Sequence, residues 1–260
     1  PRDLSGCTFH QDMNLLQLLS TGMALFVSMS IECITGFGGA VLAMPVLTMF
    51  LDVDSAVALM AMISGVNGAR IYLQNRGKTD RAILRTVLLF GGCGLPVGML
   101  LGGILPERTL KIILGGFVVA VSLNMLLRPG DPEKADEPSA LRRVLERLSL
   151  FAGGIFHGAF SCGGPLIVIY AGKRQRDKAL LRNTLTLVWF LFSAAILVKD
   201  LAVGGILTRP LLVQFACALP FCIAGAFVGG WLHKRVSVTF FAALTRFLLL
   251  LSGAMTLIKT

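Results

Sequence analysis

The chain has 260 residues, of which 55% are hydrophobic and only 15% charged, with a mean hydropathy of +0.78. Soluble domains carry about a quarter of their residues charged, so a soluble globular protein is excluded. The net charge of +10 invites a nucleic-acid partner, but the basic residues sit in short segments between apolar runs. That is the distribution of the positive-inside rule, and it reports orientation in a membrane.

The opening "PRDLSGC" has no basic n-region, so no cleavable signal is expected. The first predicted element is a helical hairpin over 13–51, broken at "TGFGGA". Three spans follow, at 55–75, 82–105 and 110–127, each near the roughly 20 residues that cross about 30 Å of hydrocarbon as helix. A polar linker, "RPGDPEKADEPSALRR", interrupts the apolar pattern. A second hairpin over 145–172 is broken at "SCGGP", and spans at 179–198, 206–232 and 238–258 complete the chain. No ten-residue alternating segments occur, so strands are not expected. The fold class is an all-α polytopic membrane protein. It divides into a first repeat (13–127), a cytoplasmic linker (128–144) and a second repeat (145–258).

Self-similarity supports the division. Gly38-Gly39 and Gly163-Gly164 are 125 positions apart, and "LPVGMLLGG" resembles "LPFCIAGAFVGG" further along each half. In the latter pair Gly98, Gly102 and Gly103 align with Gly225, Gly229 and Gly230, with the small-xxx-small spacing that lets helices pack closely in lipid. Lys and Arg sort sixteen to one side and six to the other, with Arg70 and Arg246 inside predicted spans. The rich side is expected to be cytoplasmic, which places both termini outside. The first hairpin then begins and ends outside and the second inside, so the halves are inverted, whether the hairpins cross fully or re-enter. Inverted repeats with interrupted helices at matching positions mark secondary transporters, with the site between the repeats near the midplane.

The breaks supply the chemistry. A helix restarting after Gly39 or Gly164 exposes unpaired N–H groups and the positive end of its dipole, and glycine lets an oxyanion reach the backbone. Thr35, Gly36, Gly38 and Gly39 on one side, and Ser161, Cys162, Gly163 and Gly164 on the other, are the expected substrate-binding residues. Glu32 and His157 are 125 apart, each six residues before its glycine pair. Ionisable groups inside spans are functional candidates, and these two are the candidates for proton coupling. Asn67, Arg70 and Arg246 are weaker candidates for lining the path or neutralising an anion. The six cysteines show no CxxC or Cys/His ligand spacing, so neither a metal nor a disulfide framework is indicated. No cofactor is expected, and no motif with catalytic mechanics is present, so the chain does not read as an enzyme.

Two of these stretches carry a resemblance. "GFGGAVLAMPVL" and "GAFSCGGPLIVIY" resemble the paired glycine-rich signatures of the TauE/SafE sulfite-exporter-like family of membrane transporters, and "SGVNGARIYLQNRGKTD" also fits. Ala40 stands where a third glycine is common, and Cys162 precedes the second pair. The resemblance implies transport of sulfite, an organosulfonate or a related sulfur-containing anion across a bacterial cytoplasmic membrane. An anion channel of similar architecture is the alternative. Substrate, direction, coupling ion and oligomeric state stay open at this point.

Overall fold

The computed structural model describes residues 15–35, 38–74, 78–127, 140–232, 247 and 250–256. Every element with two described ends is an α-helix. In chain order these are α1 (Leu15–Thr35), α2 (Gly39–Leu47), α3 (Val53–Gln74), α4 (Arg81–Ile104), α5 (Glu107–Leu127), α6 (Ala140–Phe160), α7 (Gly164–Arg174), α8 (Lys178–Val203) and α9 (Arg209–Leu232). Residues 250–256 are also helical. Among the described residues four helices contain segments long and apolar enough to cross a bilayer: Val53–Leu73, Arg81–Ile104, Ala179–Val203 and Arg209–Leu232. Large apolar side chains stand exposed along them, among them Leu100, Ile104, Val198, Leu201 and Phe227. Water would not tolerate that surface, whereas lipid tails match it. The expectation of an all-helical polytopic membrane protein holds.

The short helices are interior. In α2 all residues but Ala40 and Val46 are buried, and α7 buries Gly164, Pro165, Ile167, Tyr170 and Ala171. Long helices surround them. α1 packs on α9 and α6 on α4, while α3 packs on α8. Each of α1 and α6 also lies against the short helix that follows it.

Close approach at two seams depends on glycine. A Cβ at Gly94 would overlap the Phe151 carbonyl, one at Gly98 the Ile155 carbonyl, and one at Gly158 the Leu95 carbonyl, so α4 and α6 meet backbone to backbone. On the other side Gly225 abuts the Phe26 carbonyl and Gly229 the Ser30 carbonyl, joining α9 to α1. Ser30 Oγ lies 3.0 Å from the Gly225 carbonyl oxygen, which it can reach as a donor across this seam. Gly102, grouped by sequence with Gly229, has only ordinary contact with Ala159 at 3.8 Å. The equivalent tight positions are therefore Gly94 and Gly98 with Gly225 and Gly229, one helical turn away from the alignment of Gly98 with Gly225 and Gly102 with Gly229.

Aspartates start the helices that follow the short ones. Asp52 Oδ2 accepts from Ser55 N at 2.9 Å, and Asp177 Oδ1 accepts from Ala179 N and Leu180 N at 2.8 and 3.2 Å. Each satisfies amides that a helix start leaves unpaired. Asp80 does the same for α4 and also ties the two halves together. Its amide donates to Thr184 Oγ1 at 2.8 Å, and Gln175 Nε2 donates to its carboxylate at 3.0 Å. The α3–α4 and α7–α8 connections thus meet at one end of the bundle.

Candidate functional site

Each break has its own backbone cause. Gly38, which precedes α2, has φ +90°, a left-handed conformation that glycine adopts without a Cβ penalty. In the second hairpin the left-handed residue is Ser161, with φ +52°. A non-glycine residue there costs of order 1 kcal/mol and persists only where its surroundings hold it. Its amide still closes the last turn of α6, donating to the His157 carbonyl at 2.8 Å. Gly163 then caps α7, with Pro165 in its first turn. Gly163 is sterically required, because a Cβ would overlap the Gly153 carbonyl. Neither α2 nor α7 receives a hydrogen bond from a capping side chain.

A small cavity of about 30 Å³ opens where these two starts meet. Gly38, Ala40 and Val41 line it from the α2 side, and Cys162 and Gly164 from the α7 side. Glu32, His157, Ser161, Ser64 and Trp189 complete the wall. The volume suits a few heavy atoms and no more. A larger cavity of about 350 Å³ lies among α3, α8 and α9, lined by apolar residues such as Met62, Val66, Phe190 and Phe215. It offers nothing to compensate an anion.

Two polar side chains of the small cavity lack hydrogen-bond partners among the described residues. His157 is 4% exposed, and neither Nδ1 nor Nε2 makes a hydrogen bond. Its ring is clamped by Trp189, stacked with centroids 5.4 Å apart, and by the edge of Phe192 at 5.3 Å. Ser161 is buried to the same degree, and its Oγ is also without a partner. Buried polar groups are nearly always hydrogen-bonded, so three unmet atoms beside one cavity point to a polar occupant. Glu32 reaches the cavity from α1, and its carboxylate rests against Gly39, where an added Cβ would overlap Oε2. Ser28 Oγ donates to the Gly39 carbonyl, which fixes α2 on α1.

The structure brings together Glu32, Gly38, His157, Ser161, Cys162 and Gly164 of the expected residues. Gly39 is buried behind Glu32, and Gly163 packs on Gly153 outside the lining. Thr35 ends α1, but its side chain lies outside the described residues, as do Gly36 and Arg246. Asn67 and Arg70 do not line the cavity. Arg70 Nη2 donates to Asn67 Oδ1 at 2.9 Å, and the Arg70 side chain is exposed one to two turns beyond Ser64 on α3.

Sequence reasoning missed Ser64 and Trp189. They are separated by 125 positions, the same spacing as Glu32 and His157 and as Gly39 and Gly164. Projecting that offset along the spans would have found them. The capping bonds obey it too: Asp52 to Ser55 and Asp177 to Leu180 are equivalent pairs. Among the described residues no cluster of three or more His, Cys, Asp or Glu could hold a metal ion.

A family model described as "Sulfite exporter TauE/SafE" covers residues 21–256. No curated protein and no solved structure matches the chain.

Proposed function

Because the chain belongs to the sulfite exporter TauE/SafE family of membrane transporters, we propose that it carries a small sulfur-containing oxyanion through the cavity between α2 and α7. Sulfite, thiosulfate or a short organosulfonate fits this reading. The observation that carries it is the convergence of two helix starts without side-chain caps on three unpartnered polar atoms, His157 Nδ1 and Nε2 and Ser161 Oγ. Helix amino ends favour negative charge, and the hydroxyl and imidazole supply directed hydrogen bonds. Such a site can bind an anion, and the transporter family to which the chain belongs supports reading it as a carrier and not an enzyme.

The two halves are proposed to be inverted and to rock against each other about this cavity. The exchange of packing partners supports a two-fold relation: α1 on α9 mirrors α6 on α4. The 125-residue spacing of lining pairs supports an axis through the cavity. The small volume favours a carrier, which must rearrange to release its cargo, over an open channel. We place the protein in a bacterial cytoplasmic membrane. The end carrying Lys78, Arg174 and Arg176 faces the cytoplasm, following the positive-inside rule. Glu32 and His157 are proposed to exchange protons during the cycle, with protons as the coupling ion.

Titrating the purified full chain with sulfite, thiosulfate, sulfoacetate, taurine and acetate tests the substrate class. Saturable binding of a sulfur oxyanion that is lost or weakened about tenfold in Ser161→Ala supports the site, at about 1.4 kcal/mol for a tenfold change. Equal binding by the variant would contradict it.

A further inference from the structure

The two helix starts at the cavity are not equivalent. At α7 a Cβ on Gly164 would meet only Trp189, at 3.7 Å, in ordinary contact. At α2 the equivalent glycine, Gly39, has the Glu32 carboxylate pressed on the same position, with Cδ 3.1 Å from where a Cβ would stand. Glycine at 39 is thus what lets this carboxylate lie on the first residue of α2. The preceding residue, Gly38, has no side chain to cap the helix. Glu32 also lines the cavity beside Gly38, Ala40 and Val41.

We propose that the Glu32 carboxylate is a tethered anion that occupies the α2 half of the site and must leave it when the transported anion binds there. This rests on the reading of the cavity as an anion site. A carboxylate and an oxyanion both seek the positive end of α2, and two like charges within a few ångströms repel strongly at the low effective dielectric of an interior. Substrate entry therefore requires that Glu32 swing away or take up a proton, which links anion occupancy to the state of one side chain. A tethered competitor also keeps the helix start compensated while no substrate is bound.

The surroundings leave the carboxylate displaceable. His157 from α6 lines the cavity with it, and the Cys33 thiol on its own helix and Cys222 from α9 lie near enough to feel its charge, while Arg70 from α3 and Arg182 from α8 act on the Cys33 thiol. Arg70 lies within hydrogen-bonding reach of the Cys33 thiol and is bonded to Asn67. Among the described residues Glu32 makes no ion pair. The half-buried Glu32 side chain thus leans on the start of α2 and is not held there by a paired cation among the described residues. The alternative is a fixed cap, which would make Glu32 necessary for stability and helpful or neutral for binding.

Calorimetric titration of the full chain with sulfite and with thiosulfate separates the two. A tethered competitor predicts that Glu32→Gln binds at least about tenfold more tightly than the wild type, equivalent to about 1.4 kcal/mol. Gly39→Ala, which keeps the carboxylate but denies it this position, should tighten binding in the same direction. It also serves if Glu32→Gln fails to fold. Unchanged or weaker affinity in folded Glu32→Gln and Gly39→Ala, with the wild type binding normally, overturns this inference and leaves the anion site standing. Absence of binding in folded wild type and variants alike overturns the anion site, and the inference with it.

Discussion

Ser161 concentrates the local argument. It is buried, left-handed at φ +52° and without a partner for its hydroxyl. A buried unsatisfied hydroxyl costs about 1–3 kcal/mol, so its removal should not cost stability. Ser161→Ala is expected to keep or raise the melting temperature while weakening anion binding, a split that a purely structural serine would not give. Differential scanning fluorimetry beside titration reads both. His157 gives a second test. An imidazole ordinarily titrates between about pH 5 and 8, and imidazolium attracts an anion where neutral imidazole does not. If anion binding draws a proton onto His157, affinity should fall as pH rises from about 5.5 to 8, and His157→Gln should flatten that dependence. Wild-type pH behaviour in His157→Gln would make the ring a packing group held by Trp189 and Phe192. Glu32 and His157 were legible in the sequence because rare ionisable residues stood at a repeat spacing. Trp189 was not, since an indole in an apolar span reads as core. Its equivalence to Ser64 is visible only when the serine's own span is aligned.

Helix by helix, the glycines divide into two kinds. Gly98 and Gly229 each face a neighbouring carbonyl that a Cβ would overlap, so valine there must push two backbones apart. Overpacking of this kind costs about 1–3 kcal/mol or more. Gly98→Val and Gly229→Val are expected to lower the yield of folded protein and its melting temperature in detergent. Gly102→Val should be close to neutral, because its nearest neighbour is at 3.8 Å. The small-residue spacing was readable from sequence, but which glycine of a row meets the partner helix was not. That depends on rotation and register between α4 and α6, and a pattern repeating every turn fits equally well one turn away. The hairpin breaks were legible for a firmer reason. Gly-Gly in an apolar run, followed by Pro165 in one case, leaves helix continuation unfavourable and a restart favourable.

For the molecule as a whole, the all-helical class and the order of broken and unbroken helices could be read from hydropathy and punctuation. The pairing of α1 with α9 and α6 with α4 could not. It arises from packing between distant segments that local pattern does not encode. The proposed orientation is tested by labelling single cysteines from outside in whole cells, in a background without native exposed thiols. Val203, exposed near the end of α8, and Glu107, at the start of α5, should react as cysteines with an impermeant maleimide. Lys78 and Arg176 should not. Asp200 is unsuited, because it is buried and paired with Lys199 at 2.7 Å. Labelling at Arg176 from outside would put the second hairpin in the same sense as the first and remove the inverted relation. The claim on which transport, coupling and the role of Glu32 all depend is that the anion lies between the starts of α2 and α7. Selenite, the heavier analogue of sulfite, can be located directly by anomalous scattering in crystals of the full chain. The account predicts a selenium peak in the cavity, with selenite oxygens within about 3.5 Å of Ser161 Oγ or a His157 ring nitrogen. A peak at any other place, under conditions where selenite competes with sulfite for binding, would contradict it.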